Sequence, residues 1–549
     1  MLRAFIYRPL VCCFIFWSLG IIFANYFRLT ELNTKVLLCV SLLSFLIASF
    51  IRINEKDNND YIKAGLLFVR LMPLAFISFC VNIPFFNPYK PGDEQYFAPT
   101  EDVVFTGYFV DIRESIGANS RWQGKFILIS AFKNGKEIPL TDMTIFCRGY
   151  TENIPENDIN LKLSGRISNY NVKRLPAYTF DSYLWNLQKG YDYSANIYSF
   201  SETANKKPTK TISVKILREV CHKRLNDGLN KLNVNPVYSA IIEGLVLGSS
   251  GANMSEDIIE VFRKSGTLHV MIVSGDKVTT FGLILILPLS ILISYRGRMS
   301  YPKQRRVLMI LSFPILLLYI FIADSGVSVT RALITFFIIA ICTLITLYTD
   351  IPGRSLTSDN ITTLAIAGFI LLFLNPANLF SAGFQLSFIA VLGLITISPI
   401  LFRFLYIAIK YRNISWLIAA TVAAQILTTP ILIWHFGAIP TFGIISNIIT
   451  VPLTGIIFIF GIVLVFCTNF LIALTPFIAA IAVPLTKLTF SINAFFAHQS
   501  FSTVNLYIHS LFFYIIYFAL VILLFTYLKK IPLLTIEKLD KLRTKNFYN

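Results

Sequence analysis

The chain has 549 residues, 55% of them hydrophobic and 14% charged, with a mean hydropathy of +0.65. Soluble domains carry roughly a quarter charged residues, so the composition excludes an ordinary soluble protein and indicates an integral membrane protein. The formal net charge of +18 does not by itself indicate nucleic acid, because half of it sits in two short stretches: Arg296 to Arg306 holds five Lys/Arg and no acid, and Lys529 to Lys545 holds six against Glu537 and Asp540. The positive-inside rule places both on the cytoplasmic side.

In chain order, three apolar runs come first, at 9–27, 36–51 and 64–84. The first follows Arg3 and Arg8 and has no small-x-small cleavage site, so it reads as a retained helix rather than a signal peptide. With those arginines inside, the third run ends on the outer face. Residues 86–211 then turn polar, with "DVVFTGYFVDIRES", "GKFILISAFKNGKEIPL", "MTIFCRGY", "DINLKLSGRIS" and "YDYSANIYSF" separated by turn clusters. Five short strands at this spacing suit a small barrel of the OB type. Its charge is nearly balanced, fifteen Lys/Arg against fourteen Asp/Glu. Of the eight cysteines only Cys147 and Cys221 lie in polar sequence, which leaves a disulfide between them open.

Residues 211–232 place Ile212, Ile216, Leu217, Val220, Leu225, Leu229 and Leu232 on one helical stripe with lysines and arginines elsewhere, the pattern of a basic amphipathic helix at a membrane surface. Short helices are expected at 236–247 and 255–264, the latter with Ser255 as N-cap. Nine further spans follow, at 268–295, 306–323, 328–349, 359–375, 379–402, 413–434, 441–467, 476–496 and 509–528. The expected fold is a polytopic α-helical membrane protein of about 12 spans, both termini cytoplasmic, with an inserted extracytoplasmic OB-like β-barrel. Its parts are 1–85 (three spans), 86–210 (barrel), 211–265 (interfacial helices), 266–528 (bundle) and 529–549 (basic tail).

An ionisable group in hydrocarbon costs about 2.5–3.5 kcal/mol on insertion scales. The groups placed there are Glu243, His269, Asp276 with Lys277, Asp324, Arg331 and His435, joined by Gln385, Gln425 and Asn447. Several adjoin helix breakers, Ser274-Gly275 above all, and a broken helix at membrane depth is tolerated where its backbone faces protein or a wet cavity. Each residue alone has a structural alternative: Asp276 and Lys277 can neutralise one another, and Arg331 can snorkel or pair with Asp324.

The segment "VLGSSGANMSEDIIEVFRKSGTLHVMIVSGDKV" resembles the entry motif of the ComEC-type competence proteins, matched at Gly266, Thr267, His269, Ser274 and Gly275. "SGVSVTRA" (325–332), "NPANLFSAGFQLSFIAVLGL" (375–394) and "HFGAIPTFGIISNIITVPLTG" (435–455) extend the resemblance, as does "FDSYLWNLQKGYDYSANI" (180–197) at the close of the barrel. One departure is that Asp276-Lys277 stands where the family commonly has Leu-His. The resemblance implies a channel in the bacterial inner membrane that carries single-stranded DNA inward during natural transformation. Its partners would be a DNA receptor, a nuclease and a cytoplasmic helicase or translocase, all separate, with a homodimer also possible. No metal or cofactor is expected, since the five histidines form no His-x-His-x-Asp-His cluster and no Walker-type loop occurs.

On that reading the strand's pathway comprises His269, Ser274, Gly275, Asp276, Lys277, Arg331, Gln385, His435 and Asn447. The barrel and helix 211–232 would receive the strand, with Trp122, Phe126, Tyr170 and Tyr178 as candidate stacking faces, one or two of them facing bases and the others equally suited to the core, and Arg166, Lys173 and Arg174 on phosphates. Two other readings stay open: a membrane hydrolase with Ser274 as nucleophile and His269 or Lys277 as base, and a small-solute or lipid transporter on the same bundle.

Overall fold

Apolar runs and period-two strands alternate along this chain, and the secondary structure follows them. The computed structural model describes residues 9–26, 71–82, 102–114, 121–133, 136–138, 143–151, 153–155, 159–168, 188–189, 191, 193–202, 214–248, 254–271, 275, 277–278, 280–282, 312, 314–319, 322–323, 326–348, 360–506, 508 and 510–530. These residues belong to two compact units, one built from 1–175, 180–216 and 357–381, the other from 176–179, 217–356 and 382–549.

The first unit opens with α1 (Pro9–Tyr26) and α2 (Leu71–Asn82). Its barrel strands are β1 (Asp102–Glu114), β2 (Trp122–Lys133), β3 (Lys136–Ile138), β4 (Thr144–Gly149), β5 (Asn160–Ser168) and β6 (Tyr193–Glu202). The sheet order β1-β5-β6-β4-β2, closed by a β1–β2 pairing and with β4 and β6 parallel, is the strand order of an OB barrel; β3 is an added edge. Strand alternation sends Phe105, Phe109, Trp122, Phe126, Leu128, Leu161 and Leu163 inward.

Trp122 and Phe126 are therefore wholly buried, each against Phe109, and the indole nitrogen donates to Thr151 Oγ1 at 2.9 Å. This corrects the expectation that they stack on bases, because both have the inward parity of β2 while Gln123 and Lys125 point out. Arg166 is exposed on β5; Tyr170, Lys173, Arg174 and Tyr178 lie outside the described residues. Cys147 is buried in the barrel and Cys221 on a helix of the other unit, both as free thiols, so they form no disulfide. Burial pushes the Cys147 thiol well up, away from the reactive thiolate. Maleimide should consequently leave Cys147 unmodified at pH 8 and label it only after denaturation; mass spectrometry of the tryptic peptide reads the difference.

The unit is completed by α8 (Asn360–Leu374) and a 3₁₀ turn, Pro376–Phe380. Trp17 of α1 packs on Phe369 and Phe373, and Ser78 of α2 donates to the Trp17 carbonyl. Asn375 caps the 3₁₀ turn and also donates to the Gln188 carbonyl at 2.8 Å, while Gln188 donates to Asn378 at 3.1 Å. Two of the motifs quoted above are thus tied to each other.

The second unit contains α3 (Val214–Lys231), α4 (Pro236–Leu247), α5 (Glu256–Lys264), α6 (Leu268–Met271) and α7 (Val327–Tyr348). After these come α9 (Ala382–Thr396), α10 (Ser398–Ile409), α11 (Arg412–Phe436), β7 (Ala438–Pro440), α12 (Gly443–Phe470), α13 (Thr475–Ala497), β8 (Thr503–Asn505) and α14 (Leu511–Lys530). Between α9 and α10 the axis bends by 52°, where Pro399 cannot donate to the preceding turn. Pro430 inside α11 leaves the Ile426 carbonyl without its helical donor, and Tyr517 of α14 supplies one at 2.8 Å.

Among the described residues α11, α12 and residues 472–497 are long and apolar enough to cross a membrane, and the bent α9–α10 pair is either a fourth, broken span or a re-entrant loop. The twelve expected spans are not reached in them; 36–51 and most of 268–295 fall outside. Ser255 precedes α5 as expected, but its side chain makes no cap bond. Nor is α4 interfacial: every residue from Ser239 to Leu247 is buried, as a helix apolar on all sides requires. Helix α3 meets the α12–α13 turn, with Arg224 3.4 Å from Asn469. The expected topology put these two on opposite faces, and this contact is at odds with that placement.

Candidate functional site

Polar side chains in the bundle assemble into separate groups. The first is built by α7 and α9. Arg331, only 8% exposed, donates from Nε to Ser387 Oγ at 2.9 Å; Ser387 donates to Ser328 Oγ at 3.0 Å. The guanidinium carbon lies 5.8 Å from the Phe388 ring centroid, within cation–π range. A β-carbon at Gly275 would stand 3.0 Å from Arg331 Nη2 and 3.3 Å from the Ala332 methyl. Glycine at position 275 therefore leaves the space that the guanidinium occupies. Among the described residues no carboxylate pairs with Arg331.

On α9, Gln385 accepts from His435 Nε2 at the end of α11, at 2.9 Å. Helix α9 packs against both α7 and α11, and so carries the arginine's support and this amide–imidazole pair within one turn of each other.

A second group joins the Ser265-Gly266-Thr267 turn to α12 and α13. Thr267 and Ser446 both donate to Asn493 Oδ1, at 2.7 and 3.1 Å; Asn493 Nδ2 donates to Thr450 Oγ1 at 3.2 Å and to the Thr489 carbonyl at 2.8 Å. Every hydrogen-bonding position of Asn493 is filled, with no exposed surface on it or on Thr267, Ser446 and Thr450. Gly266 has φ +80°, and a β-carbon there would lie 2.7 Å from the Gly443 Cα. Asn447 Nδ2 reaches the Gly266 carbonyl at 3.4 Å, and its Oδ1 is buried without a donor among the described residues.

Of the remaining expected residues, Lys277 is 2% exposed and donates to the Val270 carbonyl near the C-terminus of α6, a cation at the negative end of a helix turn. His269 is exposed. Ser274, Asp276 and Asp324 lie outside the described residues. Glu243 belongs to a third group, 2.5 Å from His222 Nδ1 and accepting from Asn226 at 3.0 Å, which fastens α4 to α3. The structure thus brings Gly275 to Arg331 and Gln385 to His435, while Asn447 bonds the Gly266 carbonyl and Lys277, two residues after Gly275, bonds the Val270 carbonyl. Sequence reasoning missed Asn493, Ser328 and Ser387. An amide inside the apolar run of α13 was a readable signal, whereas serines are too common in membrane helices to stand out.

A β-barrel unit and a bundle of long apolar helices with a buried arginine held by two serines define the class of protein. A family profile described as Competence protein matches residues 245–531, more than half of the chain, and the chain belongs to that family. ComE operon protein 3 of Bacillus subtilis (strain 168) is similar, 26% identical over 301 residues, 54% of this chain and 34% of that protein. The alignment thus spans about a third of that relative. No solved structure matches the chain.

Proposed function

We propose that the chain carries single-stranded DNA across the bacterial inner membrane during natural transformation, as a channel rather than an enzyme. The observation that carries this is Arg331: a buried guanidinium held between a serine pair and an aromatic ring, in family-matched sequence, against Gly275. A strand bears one charge per nucleotide and needs cations along a wet path. Arg331 supplies such a position. The motor, the nuclease and the outer DNA receptor are separate proteins on this reading, and the barrel lies outside the cytoplasm. Against the hydrolase alternative, the Lys277 ammonium bonds a backbone carbonyl rather than acting as a free base. Cells lacking the protein should still bind labelled DNA outside but bring none into the cytoplasm; normal cytoplasmic label would reject the proposal.

The barrel would receive the strand on the outer face of β2, β4 and β6. The register aligns Arg166, Asn196, Arg148 and Gln123 in one row across the strands. Beside that row Tyr150 and Tyr198 are exposed and stacked, with centroids 6.1 Å apart and planes 20° apart. This is the barrel face that OB proteins offer to oligonucleotides. Replacing Arg148, Tyr150 and Tyr198 together by Ala should weaken binding of a labelled oligothymidylate to the full-length protein at least tenfold, given about 1–3 kcal/mol per stacked base. Unchanged anisotropy titrations would remove this face from the pathway.

A further inference from the structure

Where α3 crosses the α12–α13 turn, a cavity of about 500 Å³ opens that none of the proposed pathway residues lines. Arg224, Asp227 and Lys231 line it from α3, and Asn469, Ile472 and Thr475 from the turn. The helix comes this close because Gly228 faces the turn; a β-carbon there would stand 2.7 Å from the Thr468 methyl.

Three features specify what fits. The cavity carries two cations against one acid, and the contacts of Arg224 to Asn469 are long, at 3.4 Å. Thr475 is 3% exposed, yet its hydroxyl has no partner among the described residues. It stands where the 3₁₀ turn Ile472–Leu474 passes into the 23-residue α13, and at this positive end of a long helix its unpaired hydroxyl favours an anion. Finally the rim is apolar and bare: Phe470 is 73% exposed, Ile472 64% and Phe477 70%. Such exposed apolar side chains at the ends of two long apolar helices are a surface that acyl chains cover.

We propose that this pocket binds the phosphate of an anionic phospholipid headgroup, its acyl chains lying over the Phe470–Phe477 rim. The phosphate meets Arg224, Lys231 and the Thr475 hydroxyl, and the lipid fastens α3 to the bundle. A DNA strand would meet the same cations and stack bases on the phenyl rings, but it gains nothing from the bare aliphatic Ile472, whereas acyl chains cover the whole rim. The inference depends only on the chain being membrane-embedded, not on its carrying DNA.

The test is native mass spectrometry of the full-length protein released from detergent after titration with phosphatidylglycerol or phosphatidylcholine. Phosphatidylglycerol should be retained preferentially, and Arg224→Gln with Lys231→Gln should weaken that retention roughly thirtyfold, the loss expected for two interfacial cations. Lys223→Gln, exposed on the same helix but outside the cavity, should change nothing. Thr475→Val, nearly isosteric, should lower retention while leaving the lipid-free protein at least as heat-stable, and it keeps the proposal testable if the double variant fails to fold. Equal retention of both lipids, or equal retention by wild type and variants, overturns the proposal. So does displacement of the lipid by inorganic phosphate, which marks a free-anion site, or by oligothymidylate, which marks a DNA contact.

Discussion

Arg331→Met should reduce transformation about a hundredfold while leaving the purified protein as heat-stable as the wild type. The two halves come from different physics. A buried cation is costly to keep out of water, and replacing one by an apolar side chain of similar length relieves that cost. What the methionine cannot do is meet a phosphate: a charge-assisted hydrogen bond lost at the moment of passage, about 1.5–3 kcal/mol, corresponds to roughly ten- to a hundredfold in rate. Arg331→Lys keeps the charge but not the planar fork that bonds Ser387 and lies against Phe388, and should fall between. If Arg331 were only a structural strut, Met would lower the melting temperature and uptake together. Transformation frequency and a thermal melt of the same variant separate the cases.

Gly266→Ala should prevent accumulation of folded protein. The residue sits at φ +80°, which costs an L-residue about 1–2 kcal/mol, and its new methyl would press on backbone, the Gly443 Cα at 2.7 Å, with Pro440 at 2.9 Å. Neither neighbour is a flexible side chain that can swing away, so about 1–3 kcal/mol of overpacking adds to the first cost. Displacing the turn would also pull Thr267 from Asn493 and leave buried hydroxyls unpaired. Gly443→Ala is the control: its methyl would meet Pro440 at 3.4 Å with ordinary φ, and the variant should remain close to wild type. Membrane-fraction yield and melting midpoint read both.

How much of this was legible in the sequence depends on what each residue's signal encodes. Runs of about twenty apolar residues located α11, α12 and α13 to within a few positions, because lipid exposure leaves no other way to satisfy the backbone. The barrel strands were legible from alternation, and the same alternation, applied residue by residue, would have shown Trp122 and Phe126 facing inward and Arg148 and Tyr198 outward. Aromatic identity was followed instead of parity. Gly275 and Arg331, 56 positions apart, could be suspected singly, but only the fold brings one beside the other. Lys277 was read as a cation for the pathway and proves to hold a helix end, since sequence gives a charge but not its direction. Asn493 was passed over because a lone amide inside a span has no local pattern; its meaning comes from Thr267, 226 residues away.

The central claim is that the strand passes Arg331. The most direct measurement is photocrosslinking during uptake, with a benzophenone amino acid at position 328, the serine that shares the arginine's hydrogen-bond chain, and labelled DNA supplied outside to living cells. The account predicts label on the protein from position 328, none from the exposed α7 position Ile341, and loss of the 328 signal in Arg331→Met. Uptake that proceeds with no crosslink at 328, or with equal crosslinking at 341, would contradict it.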